Sequence, residues 1–139
     1  MYIKDKYRNK KNITQVRRGD IIWLDKKTIY RVLGENVQDL NRPYLVISND
    51  TNNKNSPTIG IVSISSQTRK AKYPMHVYLS KEKYTNLSYD SIALVEQVKT
   101  INKDFVVEVS DKLDQEDINA LNKAIFIQYI DETLQTKIV

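Results

Sequence analysis

Short β-prone apolar runs, each closed by a turn signal and all followed by one segment with helical periodicity, constrain this chain more than any other feature. Residues 21–24 form a first strand candidate, and 44–48 a second that follows Pro43, a residue unable to donate to a ladder and so suited to a strand's first position or edge. In 58–65 the residues alternate. Ile59 and Ile61, with Ser63 and Ser65, fall on one face and Val62 and Ile64 on the other, which predicts a strand buried on both sides near its middle. Residues 75–79, 91–100 and 105–109 supply further strands, whereas 29–33 reads as a second limb or part of a loop. The Asn/Ser/Asp-rich stretch 48–56, ended by Pro57, reads as a loop. Asp114 then caps a helix over about 115–130, with Asp117 in its acidic first turn and Ile118, Leu121, Ala124, Ile125, Ile127 and Ile130 forming an apolar stripe. The fold expected is mixed but mainly β: a small barrel or strongly curved antiparallel sheet with a C-terminal α-helix packed on it.

A chain of 139 residues is enough for one core without metal or disulfide staples. Three regions are expected: a flexible basic arm over 1–15, a domain over 16–131 and a tail over 132–139. The sequence contains no cysteine, which removes disulfides, thiolate nucleophiles and thiolate zinc sites. No apolar run approaches the ~18 residues of a membrane span, and the first residues lack a secretory apolar block, so a soluble, cytoplasmic protein with no membrane contact is expected.

The formal net charge of +5 is unevenly placed. Residues 1–18 carry seven basic side chains against one acid, so the arm should add salt-sensitive affinity for a polyanion, whatever its sequence. Beyond it, 48–88 carries six basic groups against two acids, and 104–139 carries eight acids against three lysines. A basic middle beside an acidic end suits a surface that meets phosphates on one side, although charge runs are also ordinary solvated faces.

His76 is the only histidine, so one chain cannot build a two-histidine acid–base pair, and no ligand cluster accompanies it; neither metal nor cofactor is expected. Between Met75 and Val77 it reads, on residues alone, as a structural strand histidine. Arg42 likewise reads as a turn or surface arginine.

Five segments in order change that reading. They are Arg18-Gly19-Asp20 before the apolar run, Asn41-Arg42-Pro43 leading into YLVISND, Ile64-Ser65-Ser66-Gln67, Tyr73-Pro74-Met75-His76-Val77, and the run from Asp90-Ser91 through Glu96-Gln97 to Thr100. None is specific alone, but at these spacings the chain resembles, over about residues 16–130, the MazF/PemK toxin family, sequence-specific ribonucleases of toxin–antitoxin pairs. The resemblance implies an SH3-like barrel or curved sheet of the MazF/PemK/CcdB kind, a homodimer, a single-stranded RNA substrate and a cognate protein antitoxin. It also implies cleavage by the RNA's own 2′-hydroxyl, without metal, leaving a 2′,3′-cyclic phosphate and a 5′-hydroxyl.

By the same resemblance the catalytic pair falls on Arg42 and Ser65. An arginine suits a crowded dianionic phosphorane, because its planar fork stays charged and bonds two oxygens. Ser65 stands where the family usually has threonine; it keeps the hydroxyl but, lacking a β-branch, is expected to have a freer rotamer and weaker positioning. RNA contacts carry over to Glu35, Gln67, Arg69, Lys70 and Lys72. Further contacts fall on His76, Ser91, Glu96 and Gln97, the last two offering hydrogen-bonding groups to unpaired bases. Tyr73, Tyr78 and Tyr84 are able to stack bases, although tyrosines in a β-rich domain commonly fill strands instead. One departure concerns the family's Gly-rich loop: the interval 26–41 holds a single glycine, Gly34, with Gly34-Glu35 as its remnant. The missing loop favours a module of the same fold that binds RNA or protein without cutting, and a gyrase-directed poison is a further alternative because the CcdB toxin shares this fold; the Arg42/Ser65 pair and the Gln-Lys-rich stretch after it favour the ribonuclease.

Overall fold

The computed structural model describes residues 15–34, 42–67 and 73–134. The expected arm over 1–15 therefore lies outside them except for Gln15, as do the last five residues of the expected tail.

The Arg-Gly-Asp turn sets where the sheet begins. Asp20, buried, accepts a hydrogen bond from the Arg17 amide at 2.8 Å, and burial raises its carboxyl above the ordinary range. Gly19 adopts φ 87°, donates its N–H to the Val46 carbonyl and accepts from the Leu113 amide, both at 2.9 Å. This turn launches β1 (Asp20–Leu24), and β2 (Arg42–Val46), β3 (Thr58–Ser65), β4 (His76–Leu79), β5 (Ser91–Asn102) and β6 (Glu108–Lys112) complete one sheet in the order β4-β5-β3-β2-β1-β6. Every pairing is antiparallel.

Both faces of the central strands are buried, as the alternation in 58–65 predicts. Ile21, Leu45, Val62, Ile64, Val77 and Ala93 form one core with Leu121 and Ala124 of α3 (Gln115–Tyr129). Ile22, Leu24, Tyr44, Val46, Ile59 and Ile61 form a second core on the opposite face, closed by Ile29 of α1 (Lys26–Arg31) and by Ile101 and Val106. The sheet is thus a curled half-barrel with the C-terminal helix against its outer side.

Helix α3 has the cap expected: Asp114 accepts from the Asp117 amide at 2.9 Å. Two shorter helices replace expected irregular chain. In α1, Asp25 accepts from the Thr28 amide at 2.6 Å, and Ile29 and Leu33, four apart, both pack into the second core, so the strand-or-loop reading of 29–33 is corrected to a helical turn. In α2 (Asp50–Asn55), within the expected loop 48–56, Asn49 caps Asn52 and buried Asn53 donates to the Ser48 carbonyl at 2.8 Å. The last strand also differs from 105–109. Lys103–Phe105 is a 3-10 turn, Val106 and Val107 are buried, and the strand is the more polar Glu108–Lys112.

Strand β5 carries the sheet's main irregularity. Val62 is opposite Val98, yet Ile64 is opposite Ala93, so two steps along β3 match five along β5. The three extra residues are an odd number, which reverses the alternation of faces within the strand. Accordingly Ala93 and Val95 belong to the helix-side core whereas Ile101 belongs to the other. The Tyr129 hydroxyl of α3 donates to the Val95 carbonyl at this bulge. Burial, and then the Glu96 charge, raise the pKa of that hydroxyl.

Candidate active site

Strand β2 opens where proline requires. Paired rungs between β2 and β3 run Val46–Ile61, Leu45–Val62 and Tyr44–Ser63, and stop there, since the next residue, Pro43, has no N–H. Continuing that register two residues sets Arg42 across from Ser65, on strands about 4.8 Å apart. Both residues lie on the face that carries Tyr44, Val46, Ile59 and Ile61, away from α3. Arg42 and Ser65 are half-buried, each at an end of its strand.

Ser65 is held more firmly than its side chain alone suggests. Its Oγ accepts the Gln67 amide at 3.1 Å, which fixes the oxygen and leaves the hydroxyl hydrogen to donate outward. This backbone bond supplies orientation that a β-branch would otherwise give. Gln67 itself is exposed beside it.

The row extends across two further strands. Ser65 and Tyr78 are both opposite Ile92, from β3 and β4 respectively, so all three side chains share the Arg42 face. Tyr78 is 55% exposed. Desolvation and the neighbouring Asp90 carboxylate raise the Tyr78 pKa.

One step along, His76 is opposite Leu94. Its side chain is only 5% exposed, Nε2 lies 3.0 Å from both Glu96 carboxylate oxygens, and Nδ1 is buried with no partner among the described residues. The network therefore assigns the ring proton to Nε2, donating to Glu96. Tyr73 covers the ring edge-on at 5.3 Å between centroids, and its carbonyl accepts the His76 amide. His76 thus supports Glu96 rather than presenting a ring nitrogen to RNA. This corrects the carried-over RNA contact and agrees with the structural reading of the residue alone. Glu96 remains half-exposed, and Gln97 is exposed on the bulge.

Not every expected contact reaches this face. Ser91 is opposite Leu79, is 4% exposed and donates its hydroxyl to the Tyr89 carbonyl at 2.8 Å, so it points to the helix side and is withdrawn as an RNA contact. Tyr84 is withdrawn as a stacking residue. It is 3% exposed, its hydroxyl donates to Asp117 at 2.6 Å and accepts from the Asp114 amide, and burial pushes its pKa up. Glu35, Arg69, Lys70 and Lys72 lie outside the described residues. Sequence reasoning missed Tyr129, which holds the bulge bearing Glu96; its signal depends on a bulge that the sequence does not announce.

Among the described residues, one group of carboxylates has the spacing of a metal site: Asp114, Glu116 and Asp117 at the start of α3. The Lys83 ammonium already bridges all three at 2.9, 2.8 and 3.4 Å, and these hydrogen bonds raise its pKa. That cluster sits with the helix, on the opposite side of the sheet from Arg42. No helix of the described residues is long and apolar enough to cross a membrane.

The strand order, the Arg42–Ser65 row and the outer helix define a small β-sheet toxin fold, and likenesses of sequence and structure agree. The profile of the PemK-like, MazF-like toxins of type II toxin–antitoxin systems matches residues 17–129, and the chain belongs to this family. An endoribonuclease MazF of Staphylococcus saprophyticus is 38% identical over 112 residues, 81% of this chain and 89% of that protein. Among solved structures, a mycobacterial endoribonuclease in complex with its cognate antitoxin superposes with a TM-score of 0.63 at 17% identity, covering 81% of this chain and 93% of that one. A MazE–MazF complex from Deinococcus radiodurans gives a TM-score of 0.58 at 16% identity, covering 84% of this chain and 97% of that one. These two establish the fold.

Proposed function

We propose that the chain is the toxin of a type II pair, a cytoplasmic endoribonuclease that cuts single-stranded RNA through the substrate's own 2′-hydroxyl and is restrained by a cognate protein antitoxin. The observation that supports this reading is the register of β2 and β3, whose continuation by two residues brings Arg42 across from Ser65. The 38% identity to an endoribonuclease supports it. Arg42 neutralises charge as the phosphorane forms, and the Ser65 hydroxyl donates to a phosphoryl oxygen. Gln67, Glu96 and Gln97 present amide and carboxylate groups to base edges. The arm over 1–15 and the basic segment 68–72 add phosphate contacts, and two copies of the chain form the working toxin.

The mechanism needs no metal, because the nucleophile belongs to the RNA and a guanidinium supplies the charge. In excess chelator, a long single-stranded RNA is expected to give discrete fragments ending in 2′,3′-cyclic phosphate, read by mass spectrometry of the products. Activity appearing only on addition of magnesium or manganese would sink the mechanism.

Ser65→Ala is expected to slow cleavage by about tenfold, less than loss of Arg42, since a neutral donor contributes about 1–2 kcal/mol. Ser65→Thr should fall within about threefold of wild type, because the Gln67 amide already orients the oxygen. Single-turnover rates on one RNA decide the matter; a Ser65→Ala rate equal to wild type removes the residue from the mechanism.

A further inference from the structure

We infer that Tyr78 is a base-stacking platform that fixes the position of one nucleotide next to the cut, an inference that rests on the ribonuclease reading. Tyr78 and Ser65 flank the same residue, Ile92, from neighbouring strands, so the ring and the Ser65 hydroxyl rise from one face on one rung. Two strand spacings separate them by about 10 Å, no more than about three nucleotide steps even at the 3.4 Å rise of a stacked strand. Among the described residues no strand lies beyond β4 in the sheet order, and Tyr78 is 55% exposed, whereas Ile92 between them is buried.

The ring's surroundings select a base rather than a phosphate. Asp90 and Glu82 both place negative charge near the Tyr78 hydroxyl. These acids repel the RNA backbone from the β4 edge while leaving the aromatic face open to a neutral heterocycle. The guanidinium of Arg42 lies at the other end of the row, where the scissile phosphate belongs. A strand crossing the sheet therefore meets positive charge at β2 and an aromatic surface at β4, a polarity that suits a splayed single strand with its backbone on one side and an unstacked base on the other.

The test uses the full chain and an RNA oligonucleotide made uncleavable by 2′-O-methyl groups, with a matched series in which each nucleotide in turn is abasic. Tyr78→Ala is expected to raise Kd by about five- to a hundred-fold, the range for losing one base stack. Tyr78→Phe and Tyr78→Trp should stay within about threefold, and kcat on saturating cleavable RNA should change little while KM rises. One abasic position should weaken wild type and leave Tyr78→Ala unaffected. Unchanged RNA affinity in Tyr78→Ala would overturn the platform. So would a Tyr78→Phe loss as large as that of Tyr78→Ala, which would assign the effect to the hydroxyl. A loss of antitoxin affinity alone would give the surface to a protein partner and overturn it equally. The ribonuclease reading fails separately: a wild type that binds RNA with the Tyr78 dependence but cuts nothing removes the activity and keeps the platform.

Discussion

Arg42→Ala is expected to slow RNA cleavage by about a hundredfold or more, while the affinity for uncleavable RNA falls far less. The scale is that of removing one electrostatic donor aimed at charge developing in the transition state. Arg42 stands at the first position of β2, immediately before a proline that ends backbone pairing with β3, so its backbone is placed by the strand. Truncation removes charge without disturbing either buried core, because neither contains Arg42. Arg42→Lys should recover only part of the rate, since an ammonium is a point charge that cannot bond two phosphoryl oxygens in a plane. The measurement is the pair of single-turnover rate and Kd for the same RNA. Equal, modest losses in both would make Arg42 a binding residue and remove it from the chemistry.

Gly19→Ala is expected to destabilise the fold by about 2–3 kcal/mol. A left-handed conformation costs a residue with a Cβ about 1–2 kcal/mol, and crowding adds to that. At φ 87° the new Cβ would stand 2.5 Å from Ile118 Cδ1 of α3. Ile118 can move, but it packs against the helix-side core, so its shift disturbs the contact between helix and sheet. Urea unfolding with an unchanged slope should record the loss. In an Ile118→Ala background the same substitution should cost less, since only the backbone strain remains. A loss below about 0.5 kcal/mol in the natural background would contradict this account of the turn.

What the sequence made legible follows the strength of its periodic signals. The two-sided burial of β3 and the stripe of α3 were readable because each repeats its period over several residues. The two short helices were not, for different reasons. In α1 the Asp25 cap and the Ile29/Leu33 spacing were present but span a single turn, and Ile29-Tyr30-Arg31-Val32 is as β-prone as any strand here. In α2 the Asn-rich composition that signals a loop also supplies helix caps, and tertiary bonds favour the helix, from the Arg18 amide to Asp50 at 2.7 Å and from the Lys103 ammonium to the Asn53 carbonyl at 2.8 Å. The displaced β6 has another cause. Phe105 and Val106 close the second core from a turn, while the edge strand beyond is only partly buried.

The site divides along the same line. Motif order singled out Arg42 and Ser65, and the register of β2 and β3, continued two residues, places them on one face. His76 is on the Arg42 face but its ring is engaged by Glu96, whereas the placing of Ser91 depends on which face of its strand it occupies. A one-residue difference in register decides that, and composition does not reveal it. The anchoring of Ser65 by Gln67 also escaped notice, since a hydroxyl-to-amide turn looks the same in sequence as any Ser-x-Gln.

The irregular rung of β5 makes the length of 94–97 as consequential as its composition. With one residue fewer there, strict alternation would return, and Ile101 would turn from the inner core towards water while Asn102 turned inward. Such a deletion acts as a frameshift in three dimensions: every side chain after it is read on the wrong face. Exchanges of residue type at Glu96 or Gln97 are local by contrast, whereas the count of residues between Ala93 and Val98 fixes the face of every side chain beyond them.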